Sequence, residues 1–181
     1  MATLKTDGID QLIIDELARD AQIIGAPEAE GIQVSPRISG EPGSPTYFTE
    51  GRSARLTGGP AVRVLAPERL AVTVKRCQGD LRVLGFCGDV SLEEVSGSLR
   101  IAELAGHTLV GDVRGDFRAD HVADLRVLGS CAGDIRLEKA GRLSVEKVSG
   151  DVRMVSVQDA ILGRVLGEAG ASDRLKGGEA R

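Results

Sequence analysis

The segment GDVSLEEVSGSLRIAELAG, residues 88–106, decides the fold of this chain of 181 residues. Glycine recurs in it every nine residues, and the repeat extends in both directions along the chain. The clearest members of the series are Gly79, Gly88, Gly97, Gly106 and Gly115. A fixed short period of this kind is the sequence signature of a solenoid, in which each repeat is one small structural unit.

Each nine-residue unit carries apolar residues in a φ-x-φ-x-x-φ pattern that follows the glycine. Aligned from Leu70 to about Gly167, the units give 33 apolar positions, and only Thr108 and Gly163 break the pattern. The last unit contributes Ile161, Gly163 and Leu166. Apolar residues two apart predict a strand with one buried face, and the Gly-Asp dipeptide predicts a turn. A helix would need apolar spacings of three and four without a regular glycine.

The residue between the first two apolar positions distinguishes alternate units. Arginine occupies it in every second unit, whereas the units between carry mostly neutral residues such as Thr73, Ser91 and Ser144. We therefore predict an all-β, single-stranded β-solenoid with about 18 residues per coil, built from two nine-residue units. Because stacked strands lie about 4.8 Å apart, the arginines should form a ladder on one face. They are Arg82, Arg100, Arg118, Arg136 and Arg153.

Aspartates precede four of these arginines by two residues, which places them on the same side of a strand. They are Asp80, Asp116, Asp134 and Asp151. Together with the arginines they are the candidate interaction face. One interpretation is a solvated face on which acids and arginines compensate each other. The other is a docking stripe for a polyanion or a sister subunit, since arginine offers planar, bidentate recognition.

The same pattern divides the chain into three parts. Residues 1–9 are predicted to be an N-terminal arm, 10–167 the solenoid, and 168–181 a polar C-terminal tail. Within the solenoid, 60–167 hold the regular repeats and 10–59 irregular coils with a surface loop near 36–51. An alternative for Gln11–Arg19 is a short capping helix.

Composition excludes several classes of function. The net charge of −4 argues against general nucleic-acid or anionic-membrane binding. No apolar stretch approaches the roughly 20 residues that span a bilayer, and the start of the chain does not resemble a signal peptide. Three cysteines do not form a disulfide framework. We expect a cytoplasmic protein without a cofactor.

No motif predicts a catalytic or metal site. The nine-residue period is shared with calcium-binding toxin repeats, but the G-x-D corner of those repeats is missing, so calcium is not expected. His107 and His121 fall at outward or corner positions and are predicted to be surface residues. Cys77 and Cys131 are predicted to be buried, and Cys87 lies at a corner where it can be exposed.

Two segments carry a family resemblance. GDVSLEEVSGSLRI, residues 88–101, and VEKVSGDVRM, residues 145–154, resemble the repeats of the bacterial putative-adhesin, or Toastrack-like, β-helix family. The resemblance covers roughly residues 10–167 and implies a right-handed solenoid. It carries no catalytic residues over to this chain. A weaker likeness to bactofilins implies a cytoplasmic β-helix that polymerises end to end.

These observations predict a non-enzymatic structural or protein-interaction module that presents a rigid charged face to a protein partner or to itself. A polymerising, bactofilin-like scaffold is the first alternative. An enzyme of the β-helix type is the second, and it would need a cleft that holds clustered acids with His107 or His121.

Overall fold

The computed structural model describes residues 2–5, 8–36, 46–58 and 61–172, and every regular element in those ranges is a β-strand. The all-β prediction is confirmed. The strands are β1 (Ala2–Lys5), β2 (Gln11–Leu17), β3 (Ala21–Ala26), β4 (Gly31–Pro36), β5 (Thr46–Glu50), β6 (Ser53–Thr57), β7 (Val62–Pro67), β8 (Ala71–Cys77), β9 (Leu81–Leu84), β10 (Val90–Val95), β11 (Leu99–Val113), β12 (Phe117–Cys131), β13 (Ile135–Val148), β14 (Val152–Val155), β15 (Asp159–Val165) and β16 (Ala169–Ser172).

The strands belong to one sheet of sixteen strands that runs as two columns. In the first column the order is β1, β4, β7, β3, β9, the first halves of β11, β12 and β13, then β14 and β16. In the second it is β5, β6, β2, β8, β10, the second halves of β11, β12 and β13, then β15. Because β11, β12 and β13 each run through both columns, the sheet turns a corner between them.

Pairing through the middle of the sheet is parallel and joins residues 18 apart. Val72 pairs with Val90, and Val90 pairs in turn with Thr108. In the first column Leu99 pairs with Phe117 by the same step. The step is 17 where Thr108 pairs with Leu125 in the second column and where Ile135 pairs with Val152 in the first. Equivalent side chains of successive strands therefore stand directly above one another.

The N-terminal strands are inserted into the stack instead of starting it. Leu12 of β2 pairs with Ala54 on one side and with Val72 on the other. Ile23 of β3 lies in the same way between Val64 and Val83. The alternative of a capping helix over Gln11–Arg19 is therefore wrong, since that segment begins with β2, and both edges of β2 are used.

The buried residues follow the predicted apolar positions as far as Met154. They line the space between the two columns, where Phe86 and Phe117 are the largest fully buried side chains. This core contains mainly Val, Leu and Ile. Side chains of similar shape that stand in straight columns can pack closely on one another.

The last repeat is displaced by one residue from the predicted alignment. Ala160, Leu162 and Val165 pair with Leu143, Val145 and Val148. The prediction that the inward positions are Ile161, Gly163 and Leu166 is wrong, and all three are exposed. The reason is the shorter, 17-residue step, which moves every later residue one position along the strand.

The ends of the sheet show where pairing extends beyond the regular repeats. In the segment predicted to be an arm, β1 pairs antiparallel with β4, and β16 continues the first column past Gly167 into the predicted tail. Strand β5 lies inside the predicted 36–51 loop and pairs antiparallel with β6. The remainder of that loop, residues 37–45, and residues 173–181 of the tail lie outside the described residues.

Thr108 supplies a prediction about the core. Its side chain is 1 % exposed, and among the described residues its hydroxyl has no hydrogen-bond partner. Replacement by the similarly shaped valine removes an unpaired buried polar group, so we expect Thr108→Val to raise the free energy of unfolding by about 1–2 kcal/mol. Urea denaturation followed by circular dichroism measures the change.

The matched control is Thr73→Val, at a partly exposed position where the Thr73 hydroxyl accepts a hydrogen bond from Gln11 Nε2 at 3.2 Å. We expect no gain from that variant. Equal stabilisation by both variants would show that β propensity, and not the buried hydroxyl, is responsible.

Candidate functional site

The five predicted arginines stand in one straight line on the outer surface of the first column. Arg82 pairs with Arg100, and the line continues by direct pairing to Arg118, Arg136 and Arg153. All five side chains are exposed. Gln22 and then Arg63 extend the same line beyond Arg82, through the inserted strand β3. We call the surface formed by these residues the arginine face.

Ion pairing leaves most of these charges uncompensated. Arg118 Nη2 lies 3.1 Å from Glu138 Oε1, with both side chains about half exposed. Among the described residues no ion pair is recorded for Arg82, Arg100, Arg136 or Arg153. Four guanidinium groups at successive or near-successive levels of the sheet are therefore available to an outside ligand.

The four predicted aspartates do not pair with the arginines. Each carboxylate accepts a hydrogen bond from a backbone amide one level further along the sheet. Asp80 Oδ1 accepts from the Ser98 amide at 2.7 Å, and Asp116 Oδ1 accepts from the Asp134 amide at 3.0 Å. Asp134 and Asp151 accept in the same way from Asp151 and Glu168. Among the described residues these acids form no direct ion pair with the arginines, and one oxygen of each carboxylate binds the backbone at the corner instead. Whether their charges compensate the arginine face stays a prediction.

We call this series the aspartate ladder; it also includes Asp20, which accepts from the Asp80 amide at 3.0 Å. A second corner uses the same contact, where Asp112 Oδ1 accepts from both the amide and the hydroxyl of Ser130 at 2.8 and 2.9 Å. These two hydrogen bonds from Ser130 lower the pKa of the Asp112 carboxyl below its ordinary value. At the corners a backbone amide leaves the strand ladder, and the carboxylate supplies the acceptor that the amide needs.

Glycine precedes every amide that donates to the aspartate ladder, because the neighbouring level approaches too closely there for a side chain. A Cβ at Gly97 would lie 2.5 Å from Asp80 Oδ1, and one at Gly133 would lie 2.5 Å from Asp116 Oδ1. Such distances are too short for any side chain. Neither glycine has a left-handed backbone, so close approach, and not backbone conformation, explains the residue.

A column of apolar side chains runs beside the arginine face, and the nine-residue pattern does not predict it. It lies two residues after the arginine line and is half-buried in each strand. Its members are Leu65, Ile24, Leu84 and Ala102. Further along, the same column becomes acidic at Asp120 and Glu138. The end of the arginine face nearest β7 is therefore both cationic and apolar.

The two histidines occupy different corners of the surface, as predicted. His107 Nδ1 lies 3.1 Å from Asp124 Oδ2. His121 lies between Asp120 and Lys139, with Nδ1 2.7 Å from Asp120 Oδ1 and Nε2 3.0 Å from Lys139 Nζ. In the described part of the chain, neither histidine lies in a cluster of acids.

The cysteines are free thiols in the predicted environments. Cys77 and Cys131 are buried and Cys87 is exposed. Burial raises the pKa of both buried thiols to about 11, so they remain protonated and unreactive at neutral pH. No group of three or more histidine, cysteine or acidic side chains suited to a metal ion occurs in the described residues.

No family model matches the chain, and no curated protein matches it. One similar solved structure is a "putative cell adhesion protein" from Clostridium sporogenes, with a TM-score of 0.43 and 8 % identity over 96 % of this chain and 97 % of the other. The resemblance to the adhesin family stays a prediction. No helix in the described ranges is long and apolar enough to cross a bilayer.

The aspartate ladder gives a prediction about stability. Asp116→Ala removes the acceptor of the Asp134 amide, and we expect a loss of about 1 kcal/mol because the contact is charge-assisted but close to solvent. The control is Glu93→Ala, which removes the same charge from an exposed side chain without a recorded hydrogen bond in the described residues. Urea denaturation should separate the two variants.

The aspartate ladder is interrupted at Ser98, where adding a carboxylate tests the same contact in the opposite direction. Ser98 occupies the aspartate position, yet in the described residues its hydroxyl accepts no hydrogen bond from the Asp116 amide. Ser98→Asp should raise stability, by less than Asp116→Ala lowers it, because the new charge lies between Asp80 and Asp116. A loss of stability at both low and high salt would contradict the assigned role of the ladder.

Proposed function

We propose that this protein is a non-enzymatic interaction module that binds an acidic protein partner through the arginine face. The single observation that carries the proposal is the line of exposed arginines at Arg82, Arg100, Arg118, Arg136 and Arg153. Of these five arginines only Arg118 has an ion-pair partner among the described residues, Glu138. Guanidinium groups at successive levels repel one another, and an acidic ligand would reduce that repulsion.

The scaffold that we propose for this face is a single-stranded, right-handed β-solenoid of about 18 residues per coil. Its support is the 18-residue pairing step and the three long strands that pass from one column to the other. The handedness comes from the resemblance to the adhesin family. In such a stack the backbone of every arginine is held by hydrogen bonds to the neighbouring strands. The backbone of the arginine face is therefore rigid before a partner binds.

A protein partner fits the face better than a simple polyanion. The half-buried side chains of Ile24, Leu65 and Leu84 lie beside the arginine line. Protein interfaces combine arginine with apolar contact area, whereas a polyanion would gain nothing from the apolar column. We therefore propose a partner surface with acidic residues next to apolar ones. The three free thiols fit a reducing, cytoplasmic setting.

The proposal predicts the composition of peptides that the protein selects. A phage-displayed random peptide library, panned against the whole protein, should yield sequences that combine Asp or Glu with Leu, Ile or Val. These peptides should lose at least about tenfold in affinity towards the triple variant Arg82→Gln, Arg100→Gln, Arg136→Gln, because several charge-assisted contacts are removed together. Biolayer interferometry measures the affinities.

The control carries the same charge change on other surfaces, as Arg69→Gln, Arg126→Gln, Arg164→Gln, and should bind the peptides as the unmodified protein does. Selected peptides without acidic residues would contradict the proposal. So would equal losses in the two triple variants, since net charge alone would then explain the binding.

A second candidate function, a polymerising scaffold, is favoured by the C-terminal end of the sheet. Strands β15 and β16 each pair on one side only among the described strands. Ile161 and Leu166 are 66 % and 58 % exposed there. An open strand edge with apolar side chains is a template for pairing with another chain. The opposite end differs, because the antiparallel strands β1 and β5 lie outermost.

Sedimentation velocity over a hundredfold range of concentration tests this candidate. Growth of long species with concentration is expected for a scaffold that uses both ends, and a stop at the dimer is expected if only the C-terminal ends meet. Ile161→Lys with Leu166→Lys should abolish either form of assembly. The control, Leu109→Lys with Leu128→Lys, changes two exposed apolar residues away from that end and should leave assembly intact.

A monomer at every concentration would remove the scaffold candidate and leave the arginine-face proposal untouched. The two functions are therefore separable by experiment.

A further inference from the structure

A groove lies at the corner where the chain passes from the first column to the second. Its volume is about 280 Å³. Its lining consists of small residues along the floor and four polar side chains at the rim. The small residues are Ala105, Gly106, Ala123 and Gly141, and the polar ones are His107, Asp124, Arg142 and Gln158. We call it the corner groove.

The strand spacing requires glycine at two positions of the groove lining. A Cβ at Gly106 would lie 2.4 Å from the Gly88 carbonyl oxygen, and a Cβ at Gly141 would lie 2.4 Å from that of Ala123. No larger residue fits at either position without moving the chain. The lining therefore lacks side chains at these two positions.

Three of the polar residues stand in one line along the groove. His107 pairs with Asp124, and Asp124 pairs with Arg142. His107 and Arg142 are thus two levels apart, about 10 Å between their backbones at the usual strand spacing. All three side chains line the groove, with Asp124 between the other two.

Asp124 fixes the orientation of His107. Its Oδ2 lies 3.1 Å from His107 Nδ1, and the Asp124 side chain is 14 % exposed against 72 % for His107. The Asp89 carboxylate in addition accepts a hydrogen bond from the His107 amide at 3.0 Å. Because a carboxylate is only an acceptor, Nδ1 must carry the proton. A neutral His107 therefore presents Nε2 as an acceptor to the groove.

Arg142 supplies the opposite chemistry. Its side chain is exposed, and no ion pair is recorded for it among the described residues. Asp159 is its neighbour on the far side, and Arg126 Nε lies 3.8 Å from Asp124 Oδ1. Asp124 is engaged by His107 and approached by Arg126. Among the described residues no ion pair joins Asp159 to Arg142, so the Arg142 guanidinium keeps donors for an anion.

We propose that the corner groove binds a small hydroxy carboxylate of the size of a single sugar acid. The ligand carboxylate pairs with the Arg142 guanidinium, and a ligand hydroxyl donates a hydrogen bond to His107 Nε2. A plain carboxylate cannot use the acceptor at His107, and a neutral sugar cannot use the charge of Arg142. The site goes beyond the proposed function, since it shares no residue with the arginine face.

Nuclear magnetic resonance of the imidazole carbons tests the site on the whole protein, because the chain has two histidines. Titration with D-galacturonate should shift the His107 signal saturably and leave the His121 signal in place. His107→Ala and Arg142→Gln should each weaken binding at least about tenfold, as expected for loss of one directed polar contact. The matched controls His121→Ala and Arg100→Gln should bind as the unmodified protein does.

Ligand chemistry gives the second arm of the experiment. Acetate, which lacks the hydroxyl, and glucose, which lacks the carboxylate, should each bind at least about tenfold more weakly than galacturonate. Trigalacturonate that binds more tightly than the monomer would assign the ligand to an acidic polymer, and equal binding would assign it to a free acid. Either result supports the proposal.

Three results would overturn it: no saturable shift at His107, equal binding of acetate and galacturonate, or equal losses in the variants and their controls. Thermal melting of each variant identifies a loss of folding. If a variant fails to fold, Asp124→Asn replaces it. An unchanged pattern of His107 nitrogen chemical shifts in that variant would contradict the orientation assigned to the ring. Failure of these tests leaves the peptide-binding prediction for the arginine face standing.

Discussion

The contact between an aspartate carboxylate and the backbone amide of the next level is the interaction on which the rest of the structure depends. Where the chain turns, an amide leaves the strand ladder and needs another acceptor. Asp80 supplies it for Ser98, and Asp116 supplies it for Asp134. The same carboxylate excludes a Cβ at Gly97 or Gly133. Glycine on one level and aspartate on the neighbouring level therefore act together. Their contact fixes the register of the two levels, and the register aligns the side chains in columns.

The strands of the regular repeats, the 18-residue step and the buried positions up to Met154 can be predicted from the sequence, because every repeat has the same local pattern. The positions of β2 and β3 within the sheet cannot be predicted in this way. Leu12 and Ile23 have the same apolar pattern as any other repeat, and nothing local shows that they pair with Val72 and Val83 after a gap of 60 residues. The error at Ile161 has a similar origin, since Leu143 pairs with Ala160 and no local feature of the sequence marks that shorter step.

The same distinction separates what could be predicted of the candidate site. The arginine line needed only the period, and the pairing places it as the period implies. The role of Asp116 was missed because an exposed acid near arginines suggests an ion pair, whereas the nearer partner is a backbone amide. The apolar column was missed because Ile24 and Leu65 reach it only through the inserted strand β3. Both omissions concern contacts between residues that are distant in sequence.

The corner between the columns shows how a repetitive frame leaves room for specific chemistry. Glu103, His121, Lys139 and Ser156 all have φ between 52° and 55°, at equivalent places in successive levels. A left-handed backbone conformation costs a residue other than glycine about 1–2 kcal/mol. Four residues of different types nevertheless adopt it here. The conformation is therefore imposed by stacking and not by residue preference. Gly25 and Gly85 in this column must be glycine, because a Cβ on either would lie 2.8 Å or less from the carbonyl oxygen of the other. At the remaining positions of this column the fold tolerates different side chains, so polar groups can be placed at the corner without loss of register.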